Sequence, residues 1–310
     1  MDALSEVLRL ARFNAGVTLD ATARDPWCVS VAASPSIARA HLVIDGQCQL
    51  KLSGAEPITL NSGEFAFIPR GDAHLIGSSL DADATSLSAL VKSPIAGELV
   101  PIRLGSEGAA TRWIALSSSC ERHLAEPLIA ALPRVMRVDL HNAPALYWLI
   151  DALGLTLSSS SAPPIGASAE RSRLAELVII EAIARYIGWL PPGGKGWLAA
   201  LNDRYVGRAL ALVHGRPSEA WTVQKLGRQV GLSRSALAEH FGEVMGEPIF
   251  GFLTNWRLTM AAEFLLTTSR PIDAIAHEAG YESAGAFSAA FKRMFGKPPS
   301  TWRKRRRARA

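Results

Sequence analysis

Three cysteines are the side chains of this sequence with the most reactive chemistry. Cys28, Cys48 and Cys120 can sense oxidants if one of them is exposed and its thiolate is stabilised by the surroundings. The opposing interpretation is structural, because a cysteine on a strand, such as Cys48, is more often an inert small apolar residue. There are only three cysteines, and no two of them lie at the spacing of a paired motif. The sequence therefore predicts neither a disulfide scaffold nor a zinc module.

A second set of candidate functional side chains lies on a predicted helix near the C-terminus. Thr222 is placed to cap a first helix, on which Leu226 and Val230 face inward at helical spacing. Gly231 ends that helix where a helix-turn-helix bends, and Ser233 caps the second helix. The residues that then point outward, as towards a major groove, are Arg234, Ser235, Ala238 and Glu239.

The same pattern occurs twice, in residues 222–245 and 272–295. The corresponding pairs are Leu226 with Ile275, Gly231 with Gly280, Leu237 with Phe287, and Phe241 with Phe291. The spacing is 49 residues before the turn and 50 after it, which a one-residue insertion in the second turn explains. Two copies of one supersecondary unit are a specific signal, and they predict two helix-turn-helix units in tandem.

One amphipathic helix is predicted between the two units. Its apolar residues fall on one stripe and are Ile249, Phe252, Leu253, Trp256, Met260, Phe264 and Leu265. Such a helix would hold the two outward-facing helices about one DNA turn apart. Arg257 on the same helix is expected to belong to a structural ion pair rather than to contact DNA.

This C-terminal segment resembles the DNA-binding domain of the AraC/XylS family of transcription regulators. The resemblance is carried by residues 226–241, Trp256-Arg257-Leu258 with Ala261, Ile275-Ala276, residues 280–283, Phe287-Ser288, Phe291-Lys292, Phe295-Gly296 and Pro298-Pro299. It implies a DNA-binding domain at residues 203–304, followed by a basic tail at residues 305–310. The partners it implies are double-stranded DNA and, for an activator, RNA polymerase.

In the resemblance, the base-contacting positions of the first unit fall on Ser235, Ala238 and Glu239, with Arg234 near the DNA backbone. A serine can contact several bases, an alanine can touch a thymine methyl group, and a glutamate can accept from cytosine. The first unit is therefore expected to supply most of the base specificity.

The second unit departs from family members that carry polar or basic residues at these positions. Its corresponding residues are Gly285, Ala286 and Ala289. Because none of them has a long polar side chain, the second unit is expected to anchor phosphates. The residues predicted to do so are Ser283, Ser288, Lys292 and Arg293.

Residues 27–116 are predicted to form short strands separated by tight turns. The clearest strands are residues 27–31, 40–44, 47–52 and 64–68. Asp45-Gly46 predicts a hairpin between the second and third of them. Many short strands at this spacing favour a barrel or a jelly roll.

Helices flank this β region. They are predicted over residues 1–12, 128–138, 143–157 and 170–190. The last of them either forms a homodimer contact, as the resemblance implies, or packs on its own barrel. The Pro- and Gly-rich residues 191–196 form the predicted domain boundary.

The segment from Gly63 to His74 resembles a cupin, and more narrowly the cupin-type sensor domain of one AraC subgroup. The resemblance covers residues 1–196 and implies that a small-molecule or redox effector is sensed there. The fold class expected for the whole chain is α+β. It combines an N-terminal cupin-like β-barrel with flanking helices and an all-α domain with two helix-turn-helix units joined by a long helix.

His41 and His74 lie where cupins place metal-binding histidines. A catalytic cupin needs three or four converging ligands, but a valine two positions after His41 removes the His-x-His pair. Gln47, Gln49 and Glu64 do not complete a set, so no metal or other cofactor is expected. The two histidines are predicted to line an effector pocket. The alternative function is a metal-dependent cupin enzyme that carries a DNA-binding domain.

The net charge of +5 is unevenly distributed over the 310 residues. From residue 203 onward there are 17 Lys or Arg against 9 Asp or Glu, whereas the first 202 residues hold 16 against 19. A basic domain joined to a mildly acidic one indicates a DNA binder with a separate sensor. The basic tail is either a phosphate contact or a solvated end.

No apolar run in the sequence is long enough to cross a bilayer, and the first residues lack the features of a signal peptide. A cytoplasmic protein without a membrane partner is therefore predicted.

Overall fold

The computed structural model describes residues 2–91, 102–105, 107–140, 144–157, 166–191, 193–217 and 219–304. The chain forms two compact units. The sheet unit comprises Leu8–Pro191, and the helical unit comprises Met1–Val7 and Pro192–Ala310. The predicted basic tail, residues 305–310, lies outside the described residues.

Among the described residues, eleven strands form two sheets in the sheet unit. They are β1 (Asn14–Arg24), β2 (Cys28–Val31), β3 (Ala38–Asp45), β4 (Gln47–Leu52), β5 (Ile58–Asn61), β6 (Glu64–Ile68), β7 (His74–Gly77), β8 (Ala84–Ser86), β9 (Ile102–Leu104), β10 (Ala110–Ser119) and β11 (Met136–Asp139). Sheet A has the order β11-β6-β3-β10-β1-β9, and sheet B has the order β5-β4-β7-β2-β8.

Helices accompany these strands. They are α2 (Leu87–Leu90), α3 (Arg122–Ala131), α4 (Pro144–Leu157) and α5 (Ala167–Gly188), whereas α1 (Ala3–Leu10) begins in the helical unit and ends in the sheet unit. The long helix α5 packs on β1 of sheet A, and α4 packs on α5. The inner face of α5 is therefore buried within its own unit, although Leu177 on this helix is 48% exposed.

The two sheets share one apolar core, which confirms the expected α+β class and cupin-like architecture. Alternate residues of each strand point into this core, among them Val43, Leu50 and Ile76. Trp27 and Trp113 stack inside it with ring centroids 4.4 Å apart. The described strands pair as two facing sheets rather than as one closed ring.

The predicted hairpin at Asp45-Gly46 is wrong. The strands on either side, β3 and β4, belong to different sheets, so this turn carries the chain from sheet A to sheet B. Gly46 has φ +76°, and a Cβ there would lie 2.5 Å from the carbonyl oxygen of Ala110. The turn is therefore pressed against the start of β10, where only glycine fits.

Two other elements differ from prediction. Residues 128–138 were expected to form one helix, but α3 stops at Ala131, near Pro133, and β11 follows. Met136 and Val138 are buried at alternate positions, and β11 pairs with β6. Strand β1 was not predicted because small residues such as Ala21 and Ala23 fill its inward positions and have little β preference.

The helical unit contains eight described helices after residue 192. They are α6 (Trp197–Asn202), α7 (Arg204–Gly215), α8 (Val223–Val230), α9 (Arg234–Met245), α10 (Ile249–Thr267), α11 (Ile272–Glu278), α12 (Ala284–Phe295) and α13 (Pro299–Lys304). None of the described helices in either unit combines bilayer-spanning length with a sufficiently apolar composition.

The pairs α8–α9 and α11–α12 are the two predicted helix-turn-helix units. Thr222 Oγ1 accepts from the backbone N–H of Lys225 at 3.1 Å, and Ser233 Oγ accepts from that of Ala236 at 3.1 Å. The first helix of each unit is followed by a glycine with positive φ, Gly231 at +83° and Gly280 at +86°. The local signals that predicted the two units therefore act as expected.

Helix α10 is more deeply buried than a single apolar stripe predicts. All six residues from Leu258 to Glu263 are buried, so the middle of the helix is enclosed on every side. Near its start, Phe252 lies 5.4 Å from Phe241 of the first unit. Towards its end, α10 shares an apolar cluster with Phe287 and Phe291 of the second unit. Helix α10 packs against both helix-turn-helix units, so it needs an apolar face for each of them.

Asp203 holds the start of α7 and ties it to α9. Its carboxylate accepts from the backbone N–H groups of Tyr205 and Val206 and from Nε2 of His240, at 2.8–2.9 Å. Burial raises the pKa of Asp203, but these hydrogen bonds outweigh burial and hold that pKa below its usual value.

We predict that Asp203→Ala lowers the free energy of unfolding of the helical unit by about 1–2 kcal/mol at pH 7, the effect of losing a helix cap. Because the folded pKa is depressed, this contribution is present above the unfolded pKa near 4 and is lost as the pH falls below it. Urea unfolding followed by tryptophan fluorescence measures the effect. Asp203→Asn, which keeps an oxygen acceptor, should lie between the two proteins. Equal stability of all three would contradict the assignment.

Candidate DNA interface and sensor-unit sites

Helix α9 presents the predicted base-facing residues on its open side. Arg234, Ser235 and Glu239 are exposed and Ala238 is half-buried, while Leu237 on the opposite side is fully buried. The open surface thus carries one cation, one hydroxyl group, one methyl group and one carboxylate. These groups can read the edges of different bases in a major groove.

Arg234 is held at the edge of this surface by an aromatic ring that the sequence analysis missed. Its guanidinium lies 5.6 Å from the ring centroid of Phe250, the second residue of α10. Phe250 is 53% exposed, and the signal available in the sequence was that this large apolar residue lies off the apolar stripe of the helix. A guanidinium held against a ring has less freedom to lose when it contacts a phosphate.

Helix α12 has a different surface chemistry. Its outward residues Gly285, Ala286 and Ala289 are exposed and offer no polar side chain. Around them, Lys292 and Arg293 are exposed, and Ser288 is half-buried. The hydroxyl oxygen of Ser283 accepts from the backbone N–H of Ala286 at 3.2 Å, so the serine caps the helix. Its hydroxyl hydrogen stays able to donate to a phosphate.

Arg257 lies between the two helix-turn-helix units and has a structural role. Its Nη2 donates to the carbonyl oxygen of Trp221, just before α8, at 2.9 Å. Its Nη1 lies 3.6 Å from where a Cβ of Gly280, in the turn of the second unit, would be. The expected ion pair is replaced by a bond to a backbone carbonyl. This half-buried side chain thus bonds the backbone just before the first unit and lies beside the turn of the second.

The sheet unit brings His41 and His74 together. They are 1% and 4% exposed, and their Nε2 atoms lie 2.8 Å apart. Burial is the main cause that lowers the pKa of both, and for His41 the neighbouring His74 and Arg39 lower it further. Both imidazoles are therefore neutral at pH 7.

The hydrogen bonds fix the tautomers of this pair. The second ring nitrogen of His74, Nδ1, lies 2.8 Å from the carbonyl oxygen of Asp72, which can only accept, so this nitrogen carries the proton. The Nε2 of His74 then accepts from Nε2–H of His41. The Nδ1 atom of His41 is left as a buried acceptor without a partner in the structure.

The other predicted polar candidates do not join the two histidines. Gln47 and Gln49 are exposed, whereas His74, on the neighbouring strand β7, is buried. Glu64 is buried, but its carboxylate accepts from Arg137 and from the backbone N–H of Asn61. Within the described ranges, no three His, Cys, Asp or Glu side chains converge as a metal-ligand set.

The three cysteines are poor thiolate formers in this fold. Cys28 and Cys48 are each 2% exposed, and burial raises the pKa of Cys28 and raises that of Cys48 to about 12. Burial also raises the pKa of Cys120 to about 11, although Arg122 nearby opposes the shift. Because the thiolate is the reactive form, these surroundings disfavour oxidation at neutral pH.

Two cavities lie on the outer face of sheet A, away from the core shared by the sheets. The larger has a volume of about 390 Å³ and lies between β3, β10 and α4. The smaller lies near Cys120, Leu128 and Ile183. Neither of these two cavities is lined by His41 or His74.

Comparisons with known proteins match the N-terminal and C-terminal parts of the chain separately. A family model described as a cupin matches residues 2–188, and one described as a helix-turn-helix domain matches residues 226–305.

A Streptomyces antibioticus protein named an AraC-like transcription regulator is 31% identical, over 98% of this chain and 99% of that protein. The transcriptional regulator AlkR of Acinetobacter baylyi is 28% identical, over 98% and 99%. The RCS-specific transcriptional activator RclR of Escherichia coli is 26% identical, over 98% of each chain.

We predict that Arg257→Met lowers the affinity for a DNA site spanning both helix-turn-helix units more than the affinity for a site bound by one unit. The change removes a bond to the Trp221 carbonyl that is worth about 1.5–3 kcal/mol, and it loosens the spacing of the units. Electrophoretic mobility shifts with full and half sites measure both affinities. An equal loss on both sites would instead indicate a direct DNA contact.

We predict that the sheet unit loses stability as the pH falls below about 6.5. The folded pKa values of His41 and His74 are lowered, so below the unfolded value of about 6.5 the unfolded chain takes up protons that the folded state excludes. Thermal midpoints measured from pH 7.5 to 5.5 show the slope. The double variant His41→Gln/His74→Gln should have a flatter profile, and an unchanged slope would refute this explanation.

Proposed function

The chain belongs to the AraC family of transcription regulators, and we propose that it binds specific DNA sequences under the control of a small-molecule effector sensed in its sheet unit. That it is a DNA-binding transcription regulator with an N-terminal cupin domain follows from the family. The proposal concerns how DNA is read and what controls the reading.

The observation that carries the proposal is the unequal chemistry of two equivalent helices. On α9 a carboxylate and a hydroxyl group are exposed at the positions that face a groove, Glu239 and Ser235. On α12 the equivalent surface is formed by glycine and alanine, with Lys292 and Arg293 beside it. The first unit therefore reads bases, and the second unit mainly neutralises phosphates.

We assign residues 1–196 to sensing and residues 203–304 to DNA binding. A homodimer would use helix 170–190, on which Leu177 remains exposed while Val178, Ile179 and Ile183 pack inside the sheet unit. An activator of this design would also contact RNA polymerase. Population shift is the mechanism, because an effector that binds one conformation of the sheet unit better changes the population that can bind DNA.

A small molecule is favoured over a redox signal. All three thiols have a raised pKa, which lowers the thiolate fraction that an oxidant would attack. Among the described residues of the sheet unit, no contact favours a metal-dependent enzyme, because Glu64 is paired with Arg137 and the two glutamines on β4 are exposed.

We predict that Glu239→Ala relaxes sequence preference at one base pair, since a good side-chain contact to a base edge discriminates by about 1–3 kcal/mol. Sequencing of genomic fragments captured by the purified protein and by the variant measures this change. Glu243→Ala is the matched control, because Glu243 is also an exposed glutamate on α9, one turn further on. Sharp sites that are identical in all three proteins would refute the role of Glu239. Diffuse binding by the natural protein would refute sequence-specific regulation.

We predict that Lys292→Ala weakens binding to all sequences alike. A lysine that contacts phosphate releases about one counterion on binding, so the variant should reduce the salt dependence, the slope of log K against log salt, by about 1. Fluorescence anisotropy with a captured site and with a scrambled site, each at several salt concentrations, measures affinity and slope together. A loss confined to the captured site would place Lys292 at a base edge instead.

A further inference from the structure

The larger of the two cavities in the sheet unit lies between a sheet and a helix. Its floor is the outer face of sheet A, with Leu42 and Ile44 from β3 and Ile114 from β10. Its roof is helix α4. At about 390 Å³ it exceeds the volume of about 150 Å³ that holds benzene, and it lies in the range of small-molecule sites.

Helix α4 has two apolar faces, only one of which is packed. Leu146 and Leu153, seven residues apart, are fully buried. The cavity is lined by a second stripe at helical spacing, consisting of Tyr147, Ile150, Asp151, Gly154 and Leu155. On that stripe Tyr147 is 66% exposed and Leu155 is 67% exposed. Within the part of the chain that the structure describes, these large side chains around the cavity have fewer partners than a packed core would give them.

Gly154 leaves open space on this stripe, about one turn before the end of α4. A Cβ built on it would meet no heavy atom within 4 Å. Glycine in the interior of a helix costs roughly 0.5–1 kcal/mol relative to alanine, so its presence there lowers helix stability while it enlarges the cavity.

The polar groups of the cavity indicate the charge of its occupant. Arg112 donates from Nε and Nη2 to both carboxylate oxygens of Asp20, at 3.3 and 3.2 Å, so its charge is already balanced. Asp151 adds an exposed carboxylate that would repel an anion. Ser62 already donates to the carbonyl oxygen of Ile44 at 2.8 Å. An anion is therefore disfavoured. Because Asp151 is exposed, water and salt screen its attraction for a cation, and the mostly apolar walls favour an uncharged molecule.

We propose that this cavity binds a small, uncharged, mostly apolar molecule with one hydrogen-bonding group, and, resting on the proposed function, that this molecule is the effector. The apolar body occupies the space between Ile114 and Gly154, and its polar group faces Arg112 or Asp151. Because α4 packs on α5, which packs on β1, an occupant under α4 changes how this helix pair is held.

The neutral fluorescent amine N-phenyl-1-naphthylamine is a suitable test molecule, since its emission rises when it enters an apolar site. It is titrated into the full-length protein, into Gly154→Leu, which fills the cavity, and into Gly188→Leu. Gly188 is the matched control because it ends α5 in the same unit and its Cβ would also meet no atom within 4 Å. Circular dichroism and thermal midpoints establish that each variant is folded.

The expected result is saturable binding to the natural protein and to Gly188→Leu, with a Kd at least ten-fold weaker for Gly154→Leu. Equal binding by all three proteins, or no saturable signal with the natural protein, would overturn the site. Affinity for captured DNA is measured on the same samples with and without the amine. Binding at the site without any change in DNA affinity would refute the effector role and leave the site intact, whereas absent sequence-specific DNA binding would refute the proposed function alone.

Discussion

The burial of α10 on two faces is the constraint on which the helical unit depends. The first half of this 19-residue helix packs on the first helix-turn-helix, where the ring centroids of Phe252 and Phe241 lie 5.4 Å apart, and the second half packs on the second. At 1.5 Å per residue it is about 28 Å long. A single helix with one unit packed on each half, and with Arg257 beside both units, holds α9 and α12 at a set spacing.

The fixed spacing explains how α9 and α12 can carry different surface chemistry. A protein whose units are held together need not read bases with both of them, because the phosphate contacts proposed for α12 would set the register in which α9 meets its bases. Aromatic packing keeps α12 in place for this task, since Phe291 contacts Phe287, Phe295 and Trp302 at centroid distances of 4.6–5.8 Å. The position of α12 thus depends on aromatic packing of its inner face and needs no polar side chains at Gly285, Ala286 and Ala289 on its outer face.

The sheet unit separates its polar and apolar features by face. Between the sheets, His41 and His74 form a closed neutral pair whose protonation opposes folding. On the outer face of sheet A, the incompletely packed side of α4 leaves an apolar cavity with a balanced Arg112–Asp20 pair at its wall. The histidines were the conspicuous residues in the sequence. The cavity, lined mainly by leucines and isoleucines and by two glycines, is the proposed binding site.

The sequence by itself determined the helical unit, because caps, turn glycines and apolar spacing act within a few residues of one another. Thr222, Ser233 and Gly231 signalled structure that they form locally. Strand partners depend on residues far away in the chain, so only the tertiary structure decided that β3 and β4 lie in different sheets and that residues 136–139 extend beside β6. Only the tertiary structure shows that His41 lies beside His74 and that a cavity lies beneath α4. Both features depend on how residues far apart in the chain pack, which local residue spacing does not reveal.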